Sequence, residues 1–387
     1  MTMTLPVSAT TDDEREAILE AVRDFARTEL APHALDWDER KHFPVETLRH
    51  AGELGLGAIY VRDDVGGAGL GRAEAVAIFE ELAQGDPAIA AYISIHNMVA
   101  WMIDTYGDDE QRAAWLPGLA TMQQLGSYCL TEPGAGSDAA AVTTTAIRVG
   151  DEFVLTGVKQ FISGAGSASV YIVMARTGEP GARGITAFLV PDGAPGLSFG
   201  ANEKKMGWNA QPTRQVILDE VRVPATSMLG REGQGFKIAM SALNGGRINI
   251  AACSLGGAQW AIDRTRAYVH ERFTFGEPLA EKQSIVFALA DMATELRAAR
   301  ALVRDAAAAV DAGAPDASLQ CAMAKRFATD AGFAVANQAL QLHGGYGYLH
   351  DYGIEKVVRD LRVHQILEGT NEIMRVIIGR ELLGSKR

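Results

Sequence analysis

Apolar residues recur with a helical period along the first third of the chain. The segment "DDEREAILEAVRDFARTEL" places Ile18, Leu19, Val22, Phe25 and Leu30 along one face of a helix. The segments "AEAVAIFEELAQ" and "AAYISIHNMVAWMIDTYG" follow the same spacing, and the loop "VGGAGLG" separates helices. This pattern predicts an N-terminal helical domain over residues 1–122, in which residues 1–10 are expected to be disordered.

The pattern changes near Gln123, where short runs of β-branched and aromatic residues begin. The runs "EFVLTGVKQFI", "SVYIVMART" and "RQVILDEVRV" are separated by Gly, Pro and Asp, as in a small antiparallel sheet. From about Glu232 the helical period returns in long alanine-rich segments, which are typical of a helix bundle. We therefore predict an α+β protein with a middle antiparallel β domain over residues 123–231 and a C-terminal four-helix-bundle domain over residues 232–387.

The composition of the 387-residue chain narrows the class of protein. The chain is 48% hydrophobic and 22% charged, which is typical of a globular protein with a large core. A net charge of −12 disfavours nucleic acid or an anionic membrane as the main partner, and the sequence has no apolar run long enough to span a membrane. Three widely separated cysteines without a CxxC pair, and an N-terminal segment unlike a secretory leader, predict a cytoplasmic protein.

Several well-known site patterns are missing from the sequence. The cluster "GGAGLG" does not follow a predicted strand and "GAGSAS" precedes one, so neither matches the Rossmann fingerprint. No P-loop, HExxH pair or GxSxG elbow occurs, which argues against a nucleotide-phosphate loop, a zinc site and a serine hydrolase.

Two loops carry residues suited to ligand binding. In "LTEPGAGSDAA", glycines allow close approach of backbone, and the hydroxyls of Thr131 and Ser137 can donate hydrogen bonds. A plain Pro-Gly turn explains that spacing equally well. In "ERFTFGEPLAEKQ", Arg272 and Phe275 beside a Gly-Glu-Pro corner suit a large planar, phosphorylated ligand. A helix end capped by charge is the alternative interpretation.

At these segments the sequence resembles the acyl-CoA dehydrogenase family of flavoproteins, over essentially the whole chain. The resemblance is carried by "YCLTEPGAGSD", "KQFISGAGSASVYIVMART", "ERFTFGEPLAEKQ", "QALQLHGGYGY" and "RDLRVHQILEGTNEIMR", in the family's order and spacing. It implies a helical, a β and a second helical domain, bound FAD, a homotetramer, an acyl-CoA substrate and electron-transferring flavoprotein as oxidant.

The resemblance marks Glu368 as the catalytic base. It aligns with the base in the family's Glu-Gly-Thr turn, where a carboxylate removes the weakly acidic α-hydrogen of an acyl thioester. Burial against Ile366 and Leu367 is expected to raise its pKa, and Gly369 leaves the backbone free to bond the thioester oxygen. Some members carry their base at the position of Gly246, where this chain has no side chain. On spacing alone, a solvated glutamate at a helix start is the favoured interpretation of Glu368.

The resemblance also implies which residues contact FAD. Many members have tryptophan and threonine where this chain has Phe161 and Ser163, so the indole N–H is lost at the first position. Glu372 often corresponds to a neutral glutamine. The implied cofactor residues are Tyr128, Leu130, Thr131, Ser137, Phe161, Ser163, Arg272, Phe275, Gln283, Gln341, Gly344, Gly345, Thr370 and Glu372.

The substrate implied by the resemblance is a short branched acyl-CoA. The segments "EKKMGWNAQPTRQVI" and "LNGGRINIAACSLGGAQ" resemble the branch that oxidises isobutyryl-CoA to methacrylyl-CoA in valine breakdown. Gly245 and Gly246 are expected to widen the pocket for the α-methyl group. The implied substrate residues are Ser137, Asn244, Arg247, Gly369 and Arg380.

Alternatives remain open for the substrate and for the class of protein. One methylene changes binding by only about 1–3 kcal/mol in such a pocket, so 2-methylbutyryl-CoA or a straight short-chain acyl-CoA is the alternative substrate. A non-catalytic acyl-CoA-binding protein or a DNA-associated protein of the same fold is the alternative class. The intact base position opposes the former, and the net charge of −12 opposes the latter.

Overall fold

The N-terminal zone is helical, as its apolar spacing predicts. The structure, a computed structural model, describes residues 11–384, so the disorder predicted for residues 1–10 lies outside the described residues. Thr11 and Glu14 form a reciprocal capping box that starts the first helix, with N–H to oxygen distances of 3.3 and 2.9 Å. The helices are α1 (Asp12–Phe25, continued by a π-helical turn at Ala26–Leu30), α2 (Ala34–Arg40), α3 (Val45–Glu53), α4 (Arg72–Gly85), α5 (Pro87–Tyr106) and α6 (Asp109–Ala120).

The middle zone forms a mixed sheet in the order β6-β7-β3-β2-β4-β5-β8, with β1 beside β4. It departs from the antiparallel prediction in two parallel pairs, β1 with β4 and β2 with β4. The β2–β3 hairpin lies in the connection from β1 to β4 and provides the long crossover that parallel strands need. The strands are β1 (Gly126–Cys129), β2 (Thr145–Val149), β3 (Glu152–Ser163), β4 (Val170–Arg176), β5 (Ile185–Pro191), β6 (Leu197–Phe199), β7 (Thr213–Pro224) and β8 (Met228–Leu229).

Strand β4 separates two hydrophobic cores. Tyr171 and Val173 lie in one core, whereas Ile172 and Met174 lie in the other, because successive side chains of a strand point to opposite faces. The second core also contains α5 and α7 residues such as Met98 and Ile238. The sheet is thus packed against helices from both neighbouring zones.

The C-terminal zone is a bundle whose helices approach closely through small residues. A Cβ added at Gly256 would collide with the carbonyl oxygen of Glu80, so this glycine permits the tight crossing of two helices. Among residues 11–384, no helix combines the length and apolar character needed to cross a membrane. The helices are α7 (Gly235–Glu271), α8 (Gln283–Asp311), α9 (Ala317–His343), α10 (Ile354–His364) and α11 (Asn371–Leu383), with a small hairpin of β9 (Phe273–Thr274) and β10 (Glu277–Pro278).

A buried charge cluster joins all three zones. The Lys356 ammonium on α10 lies 3.1 Å from Asp86 Oδ1, at the start of α5, and 2.7 Å from Asp360 Oδ2. Asp360 Oδ1 also accepts a hydrogen bond of 2.6 Å from the backbone N–H of Trp208, which follows β6. Although burial opposes the charge, the two carboxylates raise the pKa of Lys356. The cluster therefore fixes α10 against both the N-terminal helices and the sheet zone.

Replacing Lys356 by Met is expected to destabilise the protein by about 3–5 kcal/mol, because two buried carboxylates lose their counter-charge. Urea unfolding followed by circular dichroism measures this loss against Lys204→Met, which removes an exposed lysine. Equal midpoints for the two variants would contradict a structural role for the cluster.

Candidate active site

Glu368 lies in a tight turn between α10 and α11. Its φ of 55° and the φ of 87° at Gly369 place two consecutive residues in the left-handed region. A non-glycine residue adopts this conformation only where its surroundings enforce it. The Thr370 side chain then caps α11 by accepting a hydrogen bond of 3.3 Å from the N–H of Ile373. Glu368 therefore precedes a helix start without serving as its cap.

The carboxylate of Glu368 is directed against α7, at the position where a glycine leaves room. A Cβ added at Gly246 would lie only 2.5 Å from Glu368 Oε2. This oxygen is buried and has no hydrogen-bond partner among residues 11–384. Burial raises the pKa of Glu368 to about 7, against the opposing positive charges of Arg247 and Lys325. The Glu368 carboxylate is therefore poised to gain or lose a proton near neutral pH.

Only one of the two neighbours predicted to bury Glu368 is itself partly buried, namely Leu367, which packs against the core. Ile366 is 50% exposed, so it does not form a dry wall. The prediction that Gly245 and Gly246 widen the substrate pocket is also wrong. The space beside Gly246 holds the Glu368 carboxylate, and the space beside Gly245 holds the guanidinium of Arg72. The adjacent glycines Gly245 and Gly246 on α7 thus leave room for the charged groups of Arg72 and Glu368.

Two cations hold the backbone of the Glu368 turn. Arg247 Nε donates to the Glu368 carbonyl oxygen at 3.3 Å, and its Nη1 donates to Asn244 Oδ1 at 2.8 Å. Lys325 Nζ donates to the Gly369 carbonyl oxygen at 2.8 Å. The structure therefore brings the predicted substrate residues Asn244, Arg247 and Gly369 together around the predicted base.

Aromatic residues complete the surroundings of Glu368. The Tyr128 hydroxyl is buried without a hydrogen-bond partner within the described residues, and burial, reinforced by the negative charge of Glu368, raises its pKa. The Arg72 guanidinium lies 3.5 Å above the ring of Tyr60. Tyr60, Arg72 and Lys325 were not predicted from sequence. No sequence signal marks Lys325, which lies in an alanine-rich helical segment.

Leu130 and Thr131 pair with the end of β3, which brings a first group of predicted cofactor residues together. The carbonyl of Leu130 accepts a hydrogen bond of 3.1 Å from Lys159 Nζ, and that of Thr131 accepts one of 2.8 Å from the N–H of Gln160. Phe161 follows with φ 60° and a side chain that is 63% exposed. The end of β3 therefore presents an exposed apolar ring on left-handed backbone.

A buried ion pair braces the base of the "LTEPGAGSD" loop. Lys159 Nζ lies 2.8 Å from Glu132 Oε1, and the same carboxylate accepts hydrogen bonds from Thr143 and Thr144. Despite burial, Lys159 lowers the pKa of Glu132 to about 2. After Glu132 the loop carries the exposed Ser137, and a Cβ added at Gly134 or Gly136 would have nothing within 4 Å.

The second group of predicted cofactor residues lines a separate cleft of about 630 Å³ that does not include Glu368. Its lining includes Arg272, Gln341, Gly344 and Gly345, and the Arg272 guanidinium lies 5.3 Å from the centre of the Tyr346 ring. Nearby on the chain, the predicted cofactor residues Phe275 and Gln283 are exposed.

Glu372 and Arg380 on α11 are not brought into the Glu368 cluster by any polar contact. Glu372 is exposed and pairs with Arg375 at 3.5 Å. The Arg380 side chain is exposed and makes no hydrogen bond or ion pair with another residue of the range 11–384. The roles predicted for them stay predictions.

Comparison with known proteins identifies the family. Models of the acyl-CoA dehydrogenase N-terminal, middle and C-terminal domains match residues 12–123, 127–221 and 233–383. The chain belongs to the acyl-CoA dehydrogenase family. It is 54% identical to a mitochondrial isobutyryl-CoA dehydrogenase of Bos taurus, over 96% of this chain and 89% of the relative.

Solved structures of acyl-CoA dehydrogenases superpose on the whole fold. Butyryl-CoA dehydrogenase from Megasphaera elsdenii has a TM-score of 0.93 at 38% identity, with 97% of this chain and 99% of that chain covered. A glutaryl-CoA dehydrogenase from Mycobacterium smegmatis, in complex with FADH2, has a TM-score of 0.92 at 31% identity, with 97% and 96% covered. The chain is therefore an oxidoreductase with the three-domain acyl-CoA dehydrogenase fold.

Replacing Gly246 by Ala should lower acyl-CoA dehydrogenase activity at least about ten-fold, because the new methyl group would displace the Glu368 carboxylate. The matched control is Gly379→Ala on α11, where an added Cβ has nothing within 4 Å. Turnover with an artificial electron acceptor measures the effect. Equal activity of the two variants would show that the Glu368 position is not critical.

Proposed function

We propose that this protein oxidises a short branched acyl-CoA, isobutyryl-CoA to methacrylyl-CoA, with Glu368 as the base and FAD as the hydride acceptor. The observation that carries the proposal is the Glu368 carboxylate, which lies over Gly246 and has a pKa of about 7 and a buried oxygen without a hydrogen-bond partner among residues 11–384. A base with its pKa near the working pH combines a large ionised fraction with useful basicity. The likeness to isobutyryl-CoA dehydrogenase supports the choice of acyl group.

Glu368 would remove the α-proton of the thioester. The Glu368 N–H makes no hydrogen bond within residues 11–384, so it is free to donate to the thioester oxygen, where negative charge develops. Arg247 restrains the same residue through its carbonyl oxygen, so that both the donor and the base are held by one fixed turn. The apolar acyl chain of the substrate would displace water from the Glu368 carboxylate and so keep this carboxylate strongly basic.

The residues of the flavin positions fit an FAD. Phe161 offers an exposed ring beside the Thr131 loop, and the buried Tyr128 hydroxyl is a polar atom without a partner among the described residues. Glycines at the second cleft, such as Gly345, have open space where a Cβ would lie, which permits close approach of a bulky ligand. Arg272 would pair with the pyrophosphate. FAD, when bound, supplies the acceptor for the hydride that leaves the β-carbon.

The proposal includes the remaining partners expected from the family. The aromatic residues Phe275 and Tyr348 are 98% and 81% exposed. Their exposure supports burial of the surface that carries them between copies of the chain, as in a homotetramer. Electron-transferring flavoprotein would reoxidise the flavin, and the reaction would serve valine breakdown in the cytoplasm.

Anaerobic titration of the flavin band with isobutyryl-, 2-methylbutyryl- and butyryl-CoA tests the proposal. We expect isobutyryl-CoA to bleach the band fastest and most completely, and Glu368→Gln to retain FAD without bleaching. Faster bleaching by butyryl-CoA or 2-methylbutyryl-CoA would contradict the assigned acyl group. Near-normal bleaching in Glu368→Gln would contradict the assigned base, and a protein that takes up no FAD would leave a non-catalytic acyl-CoA-binding function.

The rate of bleaching by isobutyryl-CoA should rise about ten-fold between pH 6 and pH 8. The active base is the ionised carboxylate, and the Glu368 pKa of about 7 means that acid protonates and inactivates it over this range. Stopped-flow absorbance under anaerobic conditions measures the rate. A profile that stays flat across these pH values would indicate a base with an ordinary carboxylate pKa.

A further inference from the structure

Lys325 is a fully buried lysine whose ammonium contacts only neutral groups directly. Its Nζ donates to the Gly369 carbonyl oxygen at 2.8 Å and to Asn371 Oδ1 at 2.9 Å. The amide of Asn371 is oriented by its own donation to Asp330 Oδ1 at 2.7 Å and Thr329 Oγ1 at 3.0 Å. The Lys325 ammonium is thus held at a fixed point by two contacts with residues that directly follow Glu368.

The contact with Gly369 acts on a strained segment. Glu368 and Gly369 both have positive φ, and a non-glycine residue keeps left-handed backbone only where its surroundings enforce it. Arg247 bonds the carbonyl of Glu368, and Lys325 bonds the next carbonyl along the chain. Charge-assisted hydrogen bonds to consecutive carbonyls fix the orientation of both peptide groups.

We infer that Lys325 is a positioning residue for the base, which clamps the Glu368–Gly369 turn and supplies positive charge that favours the ionised carboxylate. This inference rests on the proposed role of Glu368. It extends that role to a residue that touches neither the substrate nor the reacting atoms in the proposed reaction.

Among the charged and titratable groups around the turn, Glu368 and Lys325 are the two whose pKa values lie near neutrality. Burial lowers the pKa of Lys325 to about 8, against the raising effect of Glu368. Burial, together with the charge of Lys325, lowers the pKa of His364 to about 3, so this histidine is neutral above pH 6. The groups that face Glu368 are Arg247 on α7, Lys325 on α9, Tyr128 on β1 and Tyr60 before α4; those that face Lys325 are Glu368, Arg247, Asp330 on α9, Glu372 on α11 and His364 on α10.

The sign of the expected effect follows from the charges. Lys325 opposes the rise in the pKa of Glu368 that burial causes, so loss of the ammonium lets that pKa rise further. A larger fraction of Glu368 is then protonated at pH 7. The midpoint of the pH–rate profile moves to higher pH.

The test compares FAD-loaded Lys325→Met, Lys325→Gln and Lys325→Arg with the unmodified protein in anaerobic stopped-flow bleaching by isobutyryl-CoA from pH 6 to 9. We expect Met and Gln to shift the midpoint upward by about one pH unit and to lower the rate at pH 7 about five-fold, whereas Arg keeps the midpoint. Gln retains a donor for the Gly369 carbonyl, so it carries the test if the Met variant does not fold.

Lys205→Met is the matched control, because Lys205 also donates to a backbone carbonyl, that of Gln211, at 2.7 Å, and also has a pKa lowered by burial to about 8. Its charge partners include Asp360 and Asp38, so its loss should leave the midpoint in place. Hydrogen exchange of the peptide covering residues 366–373 should accelerate in Lys325→Met and stay unchanged in this control.

An unmoved midpoint in Lys325→Gln, or a rate lowered equally at every pH, would overturn the inference while leaving Glu368 as the base. Unchanged exchange in residues 366–373 of Lys325→Met would overturn the clamp. An unmodified, FAD-loaded protein that none of the three acyl-CoA esters bleaches would overturn the proposed function, and this inference with it.

Discussion

The charge of Lys356, buried between two carboxylates, is the interaction on which the placement of the active site depends. Lys356, Asp360 and His364 follow one another at intervals of four on the buried face of α10. They contact α5 through Asp86, the sheet zone through Trp208, and α7 through a hydrogen bond of 2.7 Å between His364 and Ser254. Glu368 is the next step of four along the chain. Buried ion pairs add little stability compared with apolar packing, but a mismatched register would leave their charges unpaired. The cluster therefore specifies where α10 ends, and so where the proposed base lies.

Left-handed backbone at non-glycine residues coincides with several positions of the proposed site. Phe161, Phe275 and Glu368 have φ values of 60°, 55° and 55°. Trp208, with φ 55°, lies in the charge cluster that joins the zones. Such conformations are kept where the surroundings override a local preference, and they gather at sites that must present a side chain in one direction. For Glu368 the surroundings are visible, since cations bond the carbonyls of its turn.

The order of the three zones follows from the sequence because apolar spacing reports which face of each element is buried, and the family motifs add the position of the base. The same reasoning fails for buried polar residues. Lys325 lies in "AMAKRFATD", where a lysine among alanines has the pattern of a solvated helix face. Only the packing of α9 against the Glu368 turn shows that this face is inside. Arg72 is similar, because its burial depends on Gly245, far away in the chain. The expectation that Ile366 would help to bury Glu368 is wrong for the opposite reason, because this apolar neighbour in sequence is exposed in the fold.

The acidity of Glu368, the proposed base, is set by two effects of opposite sign. Burial of Glu368 alone favours the neutral acid, which cannot accept a proton at pH 7. Cations alone would favour a carboxylate that is ionised but weakly basic. With Arg247 and Lys325 opposing burial, the pKa is about 7, where the carboxylate is both substantially ionised and basic. Both cations bond backbone carbonyls, whereas Oε2 of the carboxylate has no hydrogen-bond partner among residues 11–384. A direct salt bridge to the carboxylate would block the atom that approaches the substrate in the proposed reaction. Contact through the backbone provides the positive charge without occupying that atom.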